Sequence, residues 1–243
     1  MQFIEKDLIK KDIIEQDIIE QDIIEQDIIE EESLMTTEDL KNFWKRFDDK
    51  PYPVSVFYGY NNSNPCFSNF YRQTPFVFTI PAWCGTYAKT PVLIDYSEKA
   101  IMLCKASLMN DTTTYLKILN CEKPDRCKLL GRKVKPFDDA LWKKYVCNIA
   151  YEVTLAKFTT NPGLKDALKA TGKSIIAEAS PTDKVWGIGM NCSNKNNQYP
   201  VRWEGTNILG WALMEVRQKI IERELIEKDN TDNKYDNKVP SFC

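Results

Sequence analysis

Two apolar series that step by three and four place the tightest limit on how this chain folds: Trp142, Val146, Ile149, Val153 and Ala156, then Leu209, Leu213, Val216 and Ile220. That step is the period of a helix with one buried face, so it predicts two long helices that need a core to bury them. Asp138 or Asp139 can cap the first, because a short acid at a helix start accepts from orphan N–H groups. Strand signals are shorter. Val54-Ser-Val-Phe-Tyr58 and Phe76-Val-Phe-Thr-Ile80 are β-branched and aromatic, and Ile175-Ile176-Ala177 ends at Glu178. Thr37 opens a short capped helix, Pro162 and Gly172 bracket another, and an irregular loop through Pro81 and Pro91 leads to a helix at Glu98. Helices outnumber strands and the two do not alternate. The pattern predicts a compact, mostly helical α+β domain with a small β-sheet, not a doubly wound sheet.

The ends of the chain read differently. From Ile4 to about Glu30 the sequence repeats every five residues, most cleanly as Asp-Ile-Ile-Glu-Gln starting at Asp12, Asp17 and Asp22. Each such step turns ~140° on a helix, so the Ile pairs wind around it, and an odd period alternates faces on a strand. Neither arrangement has a clean buried face. We therefore expect a low-complexity acidic arm over 1–36, a folded domain over 37–228 and a polar tail over 229–243. The arm holds three Lys against twelve Asp and Glu, so the formal charge of −2 conceals thirty basic residues against twenty-three acidic ones in the remainder. A mildly basic domain suits a phosphate-bearing ligand.

Histidine is absent, which removes Ser-His-Asp triads, histidine acid–base pairs and histidine metal ligands together. The eight cysteines include no C-x-x-C pair, and we expect neither a structural metal nor a cofactor. Catalysis would rest on Glu, Asp, Lys, Tyr or Cys. The first residues are acidic without a charged-then-apolar leader, and no apolar run approaches ~20 residues. The expectation is a soluble, cytoplasmic protein with reduced thiols and no membrane contact.

The stretch Tyr96-Ser-Glu98-Lys-Ala-Ile-Met-Leu-Cys-Lys105 sets an acid and an amine seven residues apart on one predicted helix. Seven steps fall about 20° short of two turns, so Glu98 and Lys105 share a face with Cα atoms roughly 10 Å apart. The lysine leans back toward the acid, because helical side chains tilt toward the N-terminus. A purely structural reading competes: Asp95 with Glu98 forms a D-x-x-E capping box, with Ser97 as a rival cap. Further on, Gly187-Ile-Gly189 is half of a dinucleotide fingerprint, but Cys192 stands where a third glycine belongs and no good strand precedes it. The same segment brings Glu178, Asp183 and Trp186 into a loop after a buried strand, where sites are commonly built. Trp186 also serves as well as a core plug.

Four blocks, taken in order, resemble the NADAR family, the NAD- and ADP-ribose-associated, YbiA-like proteins. They are Phe67-Ser-Asn69-Phe70; Ser97-Glu98 with Lys105; Gly131-Arg132, then Trp142 and Lys157-Phe158; and Glu178 through Trp186-Gly187-x-Gly189, then Asn207-x-Leu209-Gly210 and Leu213-Met214-x-Val216-Arg217. The resemblance covers roughly residues 54–222. It implies a YbiA-like fold and an N-glycosidase that cleaves the bond between a ribose-type sugar and a base, in phosphorylated riboflavin-pathway intermediates or in ADP-ribosylated guanine. By the same resemblance Glu98, Lys105 and Asp183 carry the chemistry. Asn69, Arg132, Trp142, Glu178, Trp186, Gly187 and Asn207 line the substrate, with Arg132 available to a phosphate.

The residue types suit that reaction. A carboxylate stabilises positive charge on the sugar and transfers protons, and a transiently neutral lysine captures C1 as a Schiff base. The implied partner is a small nucleotide or ADP-ribosyl molecule, with nucleic acid open as its carrier and the oligomeric state undetermined. Lys99, Ala100, Met102 and Cys104 stand where many relatives carry a His, an aromatic and a Gln-rich turn. Two other readings therefore stay open: a silent ADP-ribose or nucleotide binding module, and a scaffold for the repeat arm.

Overall fold

The computed structural model describes residues 35–59, 64–72 and 74–236, with side chains as far as residue 228. The five-residue repeat lies outside the described residues, as do residues 237–243. Seven α-helices and four strands occur among the described residues, in the order α1 (Thr37–Lys45), β1 (Val54–Phe57), β2 (Phe76–Thr79), β3 (Pro91–Ile94), α2 (Ser97–Leu108), α3 (Thr112–Leu119), α4 (Pro124–Gly131), α5 (Asp139–Thr160), α6 (Pro162–Lys169), β4 (Ile175–Glu178) and α7 (Ile208–Asp236). The predicted α+β class is the observed one, but the sheet is two separate pairs. β1 and β4 run parallel in the register Val54↔Ile175 to Phe57↔Glu178. β2 and β3 run antiparallel, with Phe76 opposite Ile94.

Local chemistry explains the element starts. Thr36 and Asp39 exchange bonds in a capping box at α1, Asp138 accepts from the Leu141 N–H at α5, and Asn161 accepts from the Gly163 and Leu164 N–H groups at α6. Four elements departed from expectation. The segment read as irregular between Pro81 and Glu98 contains β3, and α3 and α4 fill the stretch before Arg132. The backbone of α7 stays helical to Asp236, beyond the expected start of the polar tail. No helix of the described residues is long and apolar enough to cross a membrane.

Among the described residues, two apolar clusters flank the seam of the fold. One gathers Phe76, Phe78 and Ile94 of the antiparallel pair with Ile101 and Leu103 of α2, Tyr115 of α3, and Ile149 and Val153 of α5. The other joins Phe57 and Ile176 of the parallel pair with Phe158 of α5 and Leu209, Leu213 and Val216 of α7. Each fully buried Leu or Ile contributes about 2 kcal/mol through removal from water. The predicted three-four series is visible here: α5 presents its upper residues to one core and Phe158 to the other. Trp186 packs against both, so the loop after β4 closes the seam between them. α2 also packs against α4, and Gly131 makes that approach possible, because a Cβ there would collide with the Met102 sulfur.

Candidate active site

Glu98 occupies the second position of α2, whose N-cap is Tyr96, and no side chain caps that helix. The expected capping box does not form. Asp95 is drawn instead to Arg72 and Lys99, at 3.5 Å from each, while the Glu98 N–H donates to the Asn69 carbonyl at 2.9 Å and the Lys99 N–H to the Tyr96 carbonyl at 3.1 Å. Backbone groups satisfy the helix start, which leaves the Glu98 carboxyl without a capping duty. Its residue is only 4% exposed. Burial pushes its pKa up to about 7; Lys128 opposes that rise, Asp183 adds to it, and Arg132 and Lys105 oppose it more weakly.

Lys105 follows two turns later on the same helix. Burial lowers its pKa, with Glu98 opposing and Arg132 assisting. Its Nζ lies 4.4 Å from the centroid of the Phe137 ring and 5.2 Å from that of Trp142, so aromatic faces replace part of its water. Glu98 and Lys105 influence one another's titration without forming an ion pair. Lys99 lies over the Tyr96 ring and pairs with Asp95, which turns it away from that arrangement.

The second half of the site comes from the loop after β4. Asp183 Oδ1 accepts from the Val185 and Trp186 N–H groups at 3.1 and 2.9 Å, and Oδ2 lies 3.1 Å from Lys128 Nζ. Both oxygens are engaged, so the residue expected to act in catalysis organises the Trp186 turn and anchors a cation. Glu178 ends β4 and its side chain senses Asp183, Lys128 and Glu98; burial, reinforced by Asp183, pushes its pKa up to about 8. Gly187 is required by close approach, since a Cβ would sit 2.6 Å from the Glu178 carbonyl oxygen. Asn207 is fully buried at φ 53°. Its Oδ1 accepts from the Glu178 N–H at 3.1 Å, and its Nδ2 donates to the Ile176 carbonyl at 2.9 Å. Expected on the substrate, the Asn207 amide is committed at both ends to holding β4.

The structure thus brings Glu98, Lys105, Arg132, Glu178 and Asp183 into one electrostatic neighbourhood. Trp142 stands beside Lys105, and Trp186 is held by Asp183. Asn69 contributes its carbonyl to Glu98, and Arg132 ends α4 exposed to solvent. Sequence reasoning missed Lys128. Burial alone would lower its pKa, but Glu98, Asp183 and Glu178 together hold it above the ordinary value. The available signal was its place four residues before Arg132, on the same helical face. Lys157, part of the Lys157-Phe158 block but given no role from sequence, is buried within α5, donates to the Ser68 carbonyl at 3.0 Å and holds the Phe67–Phe70 loop. Among the described residues no group of three or more Cys, Asp and Glu side chains is arranged to hold a metal ion. What the arrangement can do is move a proton from a near-neutral buried acid beside an amine of lowered basicity.

The chain is similar to several known proteins. A protein named N-glycosidase from Acanthamoeba polyphaga mimivirus is 39% identical over 123 residues, spanning 51% of this chain and 72% of that one. Protein irg-1 of Caenorhabditis elegans is 31% identical over 175 residues, covering 70% of this chain and 82% of its own length. The solution structure of Escherichia coli YbiA superposes with a TM-score of 0.55 at 21% identity, over 74% of this chain and 93% of YbiA, and so shares the fold. The NADAR domain profile matches residues 56–221, a span that holds both halves of the site, and the chain belongs to the NADAR domain family.

Proposed function

We propose that this protein is an N-glycosidase that hydrolyses the C–N bond of a ribosyl nucleotide-like or ADP-ribosyl substrate, either a riboflavin-pathway intermediate or ADP-ribosylated guanine. The observation that carries the reading is the pairing of Glu98, a buried carboxyl with a pKa near 7, with Lys105, an amine whose basicity is lowered on the same helix face. The mimivirus relative's name supports the reaction class. A carboxyl raised toward neutrality can both give and receive a proton, which is the condition for efficient acid–base catalysis.

In the proposed sequence Glu98 protonates the leaving nitrogen, and the C1–N bond breaks with its electron pair remaining on the base. The neutral Lys105 amine adds to the cationic C1 and passes a proton to the Glu98 carboxylate. The C1–O ring bond then opens, its oxygen takes that proton, and C1 is held as a protonated imine. Water adds to C1 and expels the lysine, which restores both groups. Arg132 supplies positive charge for substrate phosphates, and Trp142 or Trp186 offers a ring face for the base.

Incubation of the purified protein with ADP-ribosylated guanine DNA and, separately, with a phosphoribosyl-aminopyrimidine tests this directly. Release of the free sugar and base from one substrate is expected. Intact substrate in both reactions overturns the glycosidase reading.

A further inference from the structure

Lys157 takes no part in the proposed chemistry, yet it is buried in the last turn of α5 at 2% exposure. Burial lowers its pKa to about 7, opposed by Cys66 and by no carboxylate. Lysines are almost never buried without a paired acid. This one is held instead by the Ser68 carbonyl at 3.0 Å and by the Tyr71 and Phe158 rings, whose centroids lie 5.3 and 5.4 Å from Nζ. The next carbonyl along the loop, that of Asn69, accepts from the Glu98 N–H at 2.9 Å. Successive carbonyls of one loop therefore join α5 to the start of α2. The Ser68 carbonyl also accepts from the Tyr71 N–H at 3.2 Å, and its hydroxyl from the Phe70 N–H at 3.1 Å, so both carbonyls belong to one tight turn.

We propose that Lys157 is a positioning residue for Glu98: by holding the Ser68 carbonyl it fixes the Asn69 carbonyl against the Glu98 N–H, and so sets where the carboxyl stands. The inference rests on the N-glycosidase reading and adds a residue that acts on the same site from behind. No side chain caps α2, so the Asn69 carbonyl is the acceptor that keeps this N–H from being orphaned in a buried place. The same turn reaches the site a second time, because the Phe70 ring centroid lies 6.0 Å from Lys128 Nζ. A lysine suits the task, since its stem reaches across from α5 and its amine has an N–H to give in either protonation state. It does not compete with Lys105 for the sugar, being closed to solvent and committed to Ser68.

Backbone amide exchange, read residue by residue by NMR on the full chain, tests the positioning without requiring turnover. In Lys157→Met the Glu98 amide should exchange about tenfold faster than in wild type, measured relative to the Leu213 amide inside α7; tenfold is the worth of one buried hydrogen bond. On whichever of the two substrates wild type cleaves, kcat should fall roughly 10-fold to 100-fold with KM within about threefold, because a displaced acid costs chemistry and not binding. Lys157→Gln keeps an N–H donor and should lie between wild type and the methionine variant on both readouts; it replaces that variant in the test if the methionine protein does not fold. An unchanged Glu98 amide overturns the assignment, as does equal acceleration at Glu98 and Leu213, the mark of a merely structural role. A faster Glu98 amide with unchanged kcat overturns it too. If wild type cleaves neither substrate, the glycosidase reading falls, while the exchange rates still decide whether Lys157 holds Glu98.

Discussion

Lys128 Nζ lies 3.1 Å from Asp183 Oδ2, which ties α4 to the loop after β4 across fifty-five residues of sequence. The same ammonium is the largest influence opposing the burial-driven rise of the Glu98 pKa. Lys128 is therefore a positioning residue for two acids at once.

Replacing it with methionine removes a positive charge from beside Glu98 and should raise that carboxyl's pKa further. The proposed catalytic acid then keeps its proton to higher pH, and the basic limb of the kcat/KM profile should move upward by about one unit. An unmoved limb would separate Lys128 from the proton chemistry and leave it only the ion pair to Asp183.

Glu98→Gln preserves shape while deleting proton transfer, and turnover should fall on the order of 100-fold to 10,000-fold. Stability supplies a second readout. The native carboxyl titrates near 7 against an ordinary value of 4.5, so between those values the native state holds more proton than the unfolded one. Wild type accordingly loses stability as pH rises through that window, by an amount on the order of 3 kcal/mol at pH 8. Glu98→Gln escapes the loss, so its melting temperature should exceed that of wild type at pH 8 and match it near pH 4. A variant less stable than wild type at pH 8 would mean that the carboxylate has a structural partner after all.

Borohydride added during turnover should trap a sugar adduct on Lys105. Burial lowers the pKa of this amine whereas the surrounding acids raise that of Lys128, and only an unprotonated amine forms the imine. Peptide mass spectrometry should locate the adduct between Glu98 and Lys117, and Lys105→Arg should abolish it, because a guanidinium stays protonated. An adduct on Lys128 would reverse the roles given to the two lysines. Trapping no adduct from a sample in active turnover would leave direct attack by water, with Glu98 as its base.

Asn207→Ala should destabilise the domain by roughly 2–4 kcal/mol in denaturant titration. The substitution leaves the Glu178 N–H and the Ile176 carbonyl without their partners in a dry environment and places alanine at φ 53°. A loss under about 1 kcal/mol would show that β4 is held by other contacts.

Much of the fold was legible from short-range order. The three-four series announced α5 and α7, and the β-branched runs announced β1, β2 and β4. The seven-residue spacing put Glu98 and Lys105 on one helix, because helical periodicity is written between neighbours along the chain. β3 was hidden because Pro91-Val-Leu-Ile94 becomes a strand only when β2 lies alongside it to pair its backbone. The capping motif at Asp95 was misleading for a related reason: local spacing permits the box, but Arg72 and Lys99 compete for the same carboxylate.

The site shows the same division. Sequence determined which acids, amines and indoles are available, and the absence of histidine narrowed the chemistry to them. Only the tertiary structure decided which of those groups act on each other. Glu98 acquires a near-neutral pKa because α4 and the loop after β4 bury it beside Lys128 and Asp183. Glu178 is left with one unpartnered oxygen, while Lys128 donates to Asp183. Burial and long-range Coulomb interaction depend on distances in space between residues far apart in sequence, and no local pattern encodes them.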